Sequence, residues 1–293
     1  MHYLRALAGL ALERRDLDTA EQLTEQALSV SERGWPAFQF LALLDRAGIW
    51  AARGQVRDAL TSIETARLVL AGTESALLAR ADELEGQLRL SLGDPRTPAE
   101  LAGRLPAAHR ALMLAQIALA AGNDHAAHQN LQSPPKELSP RRALVRQLLL
   151  AAAAISRGDP MTAGIMAAAL RIGRLGGFRH TVVTTAPQVT SYLVEHAARM
   201  RSDPYLERVI SAALDVRAAE PDRAEYRQLI AEPLTAAELR ILKLLPTSTY
   251  LQIAATLYIS RNTVKTQLRS IYQKLGVTSR SEAVERAVDL RLL

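Results

Sequence analysis

Three cations at intervals of four, Arg261, Lys265 and Arg269, are the residues of this chain whose type and spacing point to a chemistry. Four residues make about one helical turn, so these side chains line one face of a helix. A row of guanidinium and ammonium groups on a rigid rod suits a polyanion. From Tyr258 to Leu275 there are four cations, the fourth being Lys274, and no acid. The same segment carries Val264, Leu268, Ile271 and Leu275 at intervals of four, three and four, an apolar stripe on another face. One side of the helix is suited to a protein core and another to an anion. Ser260, just ahead of it, is suited to accept a hydrogen bond from a free amide of the first turn. A helix of this kind, entered from a short helix through a tight turn, is how many proteins reach into the DNA major groove.

The elements that must position this helix are marked by three capping boxes. Thr235 with Glu238, Thr249 with Gln252, and Ser279 with Glu282 each set an acceptor three residues before a side chain that can reach back. They predict helices over about 236–245, 250–257 and 280–290, with the basic helix, 261–275, between the last two. Gly276 is placed to end the basic helix in a left-handed conformation. Ile253, Ala254 and Leu257 complete the expected core with Val264, Leu268 and Ile271, and Tyr272 is expected to pack beside them. Ala283, Val284, Ala287 and Val288 form an apolar stripe on the last helix, part of which must pack on the domain.

Charge follows the same division. The net charge is +6, yet Leu234–Leu293 holds nine Lys/Arg against four Asp/Glu, while the rest of the chain holds 27 against 26. A fifth of the chain therefore carries nearly all of the excess, as expected where phosphates are met.

The preceding residues, Met1 to about Ala219, read as amphipathic helices with a weak repeat at the turns. Arg15-Asp16, Gly54-Gln55, Gly93-Asp94, Gly122-Asn123 and Gly158-Asp159 recur at intervals of 39, 39, 29 and 36 residues. Five residues past the first member of each pair stand Ala20, Ala59, Pro98, Ala127 and Ala163, small residues that let two helices approach closely after a tight turn. Such a period predicts a stacked α-solenoid, with the unit containing Pro95 and Pro98 irregular. The β-branched stretch from Phe178 to Pro187 reads as a turn before a helix starting near Val189. Glu220-Pro221 and Glu232-Pro233 bracket a polar linker, residues 220–233, with a short helix around Arg223 to Ile230. The expected domains are thus 1–219, a helical repeat domain, and 234–293, a DNA-binding domain.

Other chemistries find little support. The chain has no cysteine, which removes disulfides, thiol nucleophiles and cysteine metal sites. No phosphate-binding glycine loop, dinucleotide fingerprint or nucleophile elbow occurs. His125 and His128 are spaced as a pair, but no further ligand adjoins them, so both are expected on an exposed polar face. Asp16, Asp18, Glu21 and Glu25 read as a solvated face. No catalytic residue, metal or cofactor is expected. No apolar run near 18 residues and no signal peptide is found, so a cytoplasmic, nucleoid-associated protein with no membrane partner is expected.

The spaced positions from Leu234-Thr235 and Glu238, through Gln252-Ile253-Ala254, Leu257, Ile259-Ser260 and Thr263-Val264-Lys265, to Lys274-Leu275-Gly276-Val277, Ser279-Arg280 and Glu282-Ala283 resemble the LuxR-type (GerE-type) DNA-binding domain. The resemblance covers Leu234 to Leu293. It departs at Ala237, where arginine is usual, at Gln252 and Gln267, and in the loop Pro246-Thr247-Ser248-Thr249. It implies an all-α fold with a four-helix helix-turn-helix domain. It further implies that Lys265, Thr266 and Arg269 enter the major groove. Arg261, Asn262, Thr263, Gln267 and Lys274 serve as phosphate or flanking contacts. The resemblance also implies that the last helix supports a homodimer on DNA. The repeats resemble tetratricopeptide repeats, and the whole resembles the carboxy-terminal part of MalT-like (LAL) regulators, which carry an ATP-binding domain ahead of their repeats. The resemblance implies a transcription regulator that binds double-stranded promoter DNA, meets RNA polymerase and receives a ligand or protein on its repeats. The alternative is a repeat-based interaction adaptor with a vestigial DNA-binding domain. Either could be a fragment of a longer chain or a natural short relative.

Overall fold

The computed structural model describes residues 2–31, 34–71, 76–132, 138–200, 203–218, 234–257, 259–275, 277 and 279–289. The chain divides into two compact units, Met1–Pro221 and Asp222–Leu293. All regular structure among the described residues is α-helix. The expected linker and its short helix lie outside the described residues.

The first unit is a solenoid of helix pairs. These are α1 (His2–Glu13) with α2 (Leu17–Ser31), α3 (Pro36–Ala52) with α4 (Val56–Val69), α5 (Leu78–Ser91) with α6 (Arg96–Ala102), α7 (Ala107–Ala120) with α8 (Asp124–Leu131), and α9 (Pro140–Arg157) with α10 (Thr162–Gly176). Each pair packs on the next. The turns have one backbone solution: Arg15, Gly54, Gly93, Gly122 and Gly158 all have positive φ, between 57° and 84°. Glycine takes this conformation without penalty, so Arg15 is the one strained member. Ala20, Ala59, Pro98 and Ala127 are buried, as the close approach of paired helices requires. Ala163 is exposed, against expectation. The Asp159 side chain accepts from the Met161 amide and its carbonyl from the Thr162 amide, so α10 starts late and Met166 takes the buried position. Asp18, Glu21 and Glu25 are not merely solvated; the first two pair with Arg53 and the third with Arg46.

Beyond α10 come α11 (Arg179–Thr184), α12 (Pro187–Glu195), α13 (Ala197–Met200) and α14 (Pro204–Ala218). The stretch expected as a turn is therefore α11, and α12 starts at Pro187 rather than near Val189. Burial of Val182 and Val183 against α9 and α14 outweighs their weak helix preference, and Pro187 suits a first helical position. Gly173 of α10 makes room for this junction: a Cβ there would lie 2.5 Å from the Tyr205 hydroxyl. The junction also reaches back to the first helix. The buried Glu13 carboxylate accepts from the Thr181 hydroxyl at 2.6 Å and the Thr181 amide at 3.1 Å, and Arg141 lies 3.4 Å from it.

The second unit contains α15 (Ala236–Leu244), α16 (Tyr250–Thr256), α17 (Arg261–Leu275) and α18 (Arg280–Asp289). Its core gathers Ile241, Leu242 and Leu245 from the first segment, Ile253 and Ala254 from the second, and Val264, Leu268, Ile271 and Leu275 from α17. Ala283 and Ala287 of α18 close it. Gly276 and the end of the predicted last helix, Leu290, lie outside the described residues.

Candidate nucleic-acid interface

The geometry of α17 is fixed at both ends and along one side. Ser260 caps its start: its hydroxyl accepts from the Thr263 amide at 3.0 Å and contacts the Thr263 hydroxyl at 2.8 Å. Upstream, both capping boxes of α15 and α16 are complete, with Thr235 paired to Glu238 and Thr249 to Gln252. Ser279 likewise accepts from the Glu282 amide at 3.2 Å. Val264, Leu268, Ile271 and Leu275 are all buried, which fixes the rotation of α17 about its axis. At about 1.5 Å per residue, the helix is roughly 22 Å long and Arg261 and Arg269 stand about 12 Å apart along it.

With the apolar stripe turned inward, Arg261, Asn262, Thr263, Lys265, Thr266 and Arg269 are exposed and Gln267 is half-buried. Arg261, Lys265 and Arg269 make no side-chain hydrogen bond or ion pair among the described residues. The Thr266 hydroxyl donates to the Asn262 carbonyl at 3.0 Å, so the polar end of that side chain is satisfied by its own helix. Tyr272 packs, as expected, half-buried with its hydroxyl 3.3 Å from that of Tyr250.

Lys274 does not sit where the sequence reading puts it. Its side chain is only 12% exposed and its ammonium donates to Glu238 Oε2 at 2.8 Å. Glu238 is 3% exposed and also accepts from the Thr235 amide at 2.7 Å and the Ser270 hydroxyl at 2.7 Å. Burial alone would raise the pKa of this carboxyl. The hydrogen bonds from Lys274, Thr235 and Ser270 outweigh that and bring it down to about 2. Lys274 therefore belongs to a buried ion pair joining α15 to α17, and its charge is committed there instead of to a phosphate.

Arg280 is a position that the sequence reading missed. Its guanidinium donates to the carbonyls of Leu245 and Ser248, the latter at 2.9 Å, and lies over the Tyr250 ring, 5.8 Å from its centroid. It thus holds the end of α15 and the loop Pro246–Thr249 that departs from the family pattern. Its sequence signals were its place in the Ser279-Arg280 pair of the motif, read without a role, and a cation in the first turn of a helix, where it opposes the macrodipole.

Chemistry of other kinds has no comparable assembly. No cluster of three or more metal-binding side chains occurs among the described residues. His125 is exposed, but His128 is half-buried, so the two do not share an open face. No helix among the described residues is long and apolar enough to cross a membrane.

Residues 232–287 match the family model of bacterial regulatory proteins, luxR family. The C-terminal unit carries a luxR-family DNA-binding domain. This luxR-family domain accounts for the capped helices, the shared core and the basic helix in one arrangement. The chain is also 38% identical over 117 residues to the probable transcriptional regulatory protein SgaR of Hyphomicrobium methylovorum, a match covering 39% of this chain. It spans about half, 48%, of that curated relative's length. No solved structure matches the chain significantly.

Proposed function

We propose that this protein is a sequence-specific transcription regulator whose luxR-family domain binds double-stranded promoter DNA through α17. The observation that carries this reading is the exposed row Arg261, Lys265 and Arg269, unpaired among the described residues, on a helix whose opposite side is locked in the core. Lys265 and Arg269 are assigned to base edges, where they can donate to guanine O6 and N7. Thr266, with its hydroxyl turned to the backbone, offers its methyl to thymine. Arg261, Asn262, Thr263 and Gln267 are assigned to phosphates and flanking positions, where they set register. Lys274 is left out of the interface and supports α17 from behind.

The same reading has two copies of the domain meeting through α18, where Val288 is 57% exposed beside the half-buried Val284. A two-fold operator would follow. RNA polymerase is the further partner at the promoter, and the site of action is the nucleoid in the cytoplasm. The repeats, tetratricopeptide-like in their turns and small-residue positions, take the signal, as in the carboxy-terminal part of a MalT-like regulator.

The test is a selection of the full chain on a random duplex pool, with the winner's affinity measured across salt and Lys265→Ala beside it. An enriched motif, a log–log salt slope of about 0.9 per neutralised phosphate, and a loss of roughly 1–3 kcal/mol in the variant are expected. No enrichment, together with salt-insensitive binding that Lys265→Ala leaves unchanged, would reject the reading in favour of an adaptor.

A further inference from the structure

Arg14, Arg179 and Arg208 come from three places in the chain and meet at the junction of the first unit. Arg14 directly follows Glu13, which the Thr181 amide and hydroxyl bind. Its neighbour Arg15 lies 3.3 Å from His180, through Nη1 and Nδ1. These two bonds bring the end of α1 to the start of α11, where Arg179 stands half-buried. From the other side, the Tyr205 hydroxyl donates to the Phe178 carbonyl at 3.4 Å, and Arg208 follows Tyr205 by one turn of α14.

None of the three guanidinium groups makes a hydrogen bond or ion pair among the described residues. The acids nearest to them are engaged elsewhere: Glu13 with Thr181 and Arg141, and Asp203 with Arg174. Glu207, beside Arg208 in sequence, is exposed and makes no ion pair among the described residues. Burial and then the charges of Arg208 and Arg14 push the pKa of Arg179 below its ordinary value, so the groups lie close enough to repel. Several other arginines of this unit meet carboxylates, as Arg5 meets Asp45 and Arg53 meets Asp18 and Glu21. Arg14 and Arg208 are exposed and so open to an incoming ligand; an anion would relieve the repulsion on Arg179, and guanidinium forks are the side chains best matched to phosphate.

We propose that Arg14, Arg179 and Arg208 form a binding site for a small phosphate dianion, free or carried as a monoester. The half-buried Arg179 is the central donor, and Arg14 and Arg208 close on the anion from either side. A compact cluster at the junction of three elements fits a single dense charge better than a nucleic acid strand, which asks for an extended row. The site gives the proposed sensing role of the repeats a ligand class. Its occupancy rests on that role only for its purpose, and is measured without DNA.

The experiment titrates the full chain with inorganic phosphate, glycerol 3-phosphate and glycerol at constant ionic strength, by calorimetry and thermal unfolding. Phosphate or its ester should bind and raise the unfolding midpoint, and glycerol should do neither. Arg179→Gln and Arg208→Gln should each weaken the anion about tenfold, while their unfolding midpoint without anion holds or rises as the repulsion is relieved. Tighter binding of the ester assigns a phosphorylated metabolite, and equal binding assigns free phosphate. Absence of binding by both anions, unchanged affinity in the variants, or a lower midpoint without anion would overturn the site. So would variants that keep phosphate affinity but lose affinity for duplex DNA.

Discussion

The two units use their cations in opposite ways. In the first, several arginines are neutralised by carboxylates of neighbouring helices: Arg5 by Asp45, Arg53 by Asp18 and Glu21, Arg67 by Asp82 and Glu85, Arg142 by Glu83. In the second, Lys274 pairs with Glu238 out of solvent, while the row on α17 stands open. The sequence reading makes DNA contacts of both, Lys265 in the major groove and Lys274 at a phosphate or flanking position. What separates them is the partner across the fold. Pairing, more than charge, therefore divides structural cations from candidate contacts in the second unit.

That division can be broken most directly at Lys274. Lys274→Met leaves the Glu238 carboxylate buried and unpaired, and should destabilise the second unit by roughly 3–5 kcal/mol, read by urea unfolding. If instead the variant unfolds as the parent does and loses DNA affinity with a shallower salt slope, Lys274 is a contact and the distinction fails. Acid should do comparable damage. The folded-state pKa of Glu238, about 2, lies below the ordinary 4.5. Its stabilisation is therefore complete above the ordinary value and is lost as pH falls through about 2. The loss is roughly 3 kcal/mol, to be followed by acid titration of helix content, and Glu238→Gln should flatten the curve. Exposed cations should behave in the reverse sense. Lys265→Ala should leave urea unfolding within about 0.5 kcal/mol of the parent despite its cost in specific affinity; a markedly less stable variant would mean that its charge is structural. Arg261→Gln should produce the smallest change, reducing the log–log salt slope by about one phosphate's worth across all sequences alike. A change confined to one base position would move Arg261 from phosphate to base contact.

Much of the fold was legible because its signals are local. The capping boxes at Thr235 and Thr249, the cap at Ser260 and the stripe Val264, Leu268, Ile271 and Leu275 depend on residues within a few positions of one another. The five turns were legible for the same reason. Most of what was missed depends on distant partners. The helicity of Arg179–Thr184 comes from packing against α9 and α14, and the role of Lys274 comes from a carboxylate 36 positions away. Arg280 grips carbonyls 32 and 35 residues back, and no spacing rule announces it. Ala163 failed because two residues around Pro160 delay the helix, a local shift that a fixed count from the turn does not see.

The bonds from Glu13 to Thr181 span 168 positions of sequence. A solenoid joined only neighbour to neighbour tolerates one more unit or one fewer, since each addition repeats the same interface. Here α1 is tied to α11, so the number of helix pairs between them is part of the design. A natural or engineered duplication of one helix pair would part Glu13 from Thr181 and leave a carboxylate buried without its donors. The number of pairs between α1 and the junction is therefore held by two hydrogen bonds, and relatives that keep both residues should keep the same count between them.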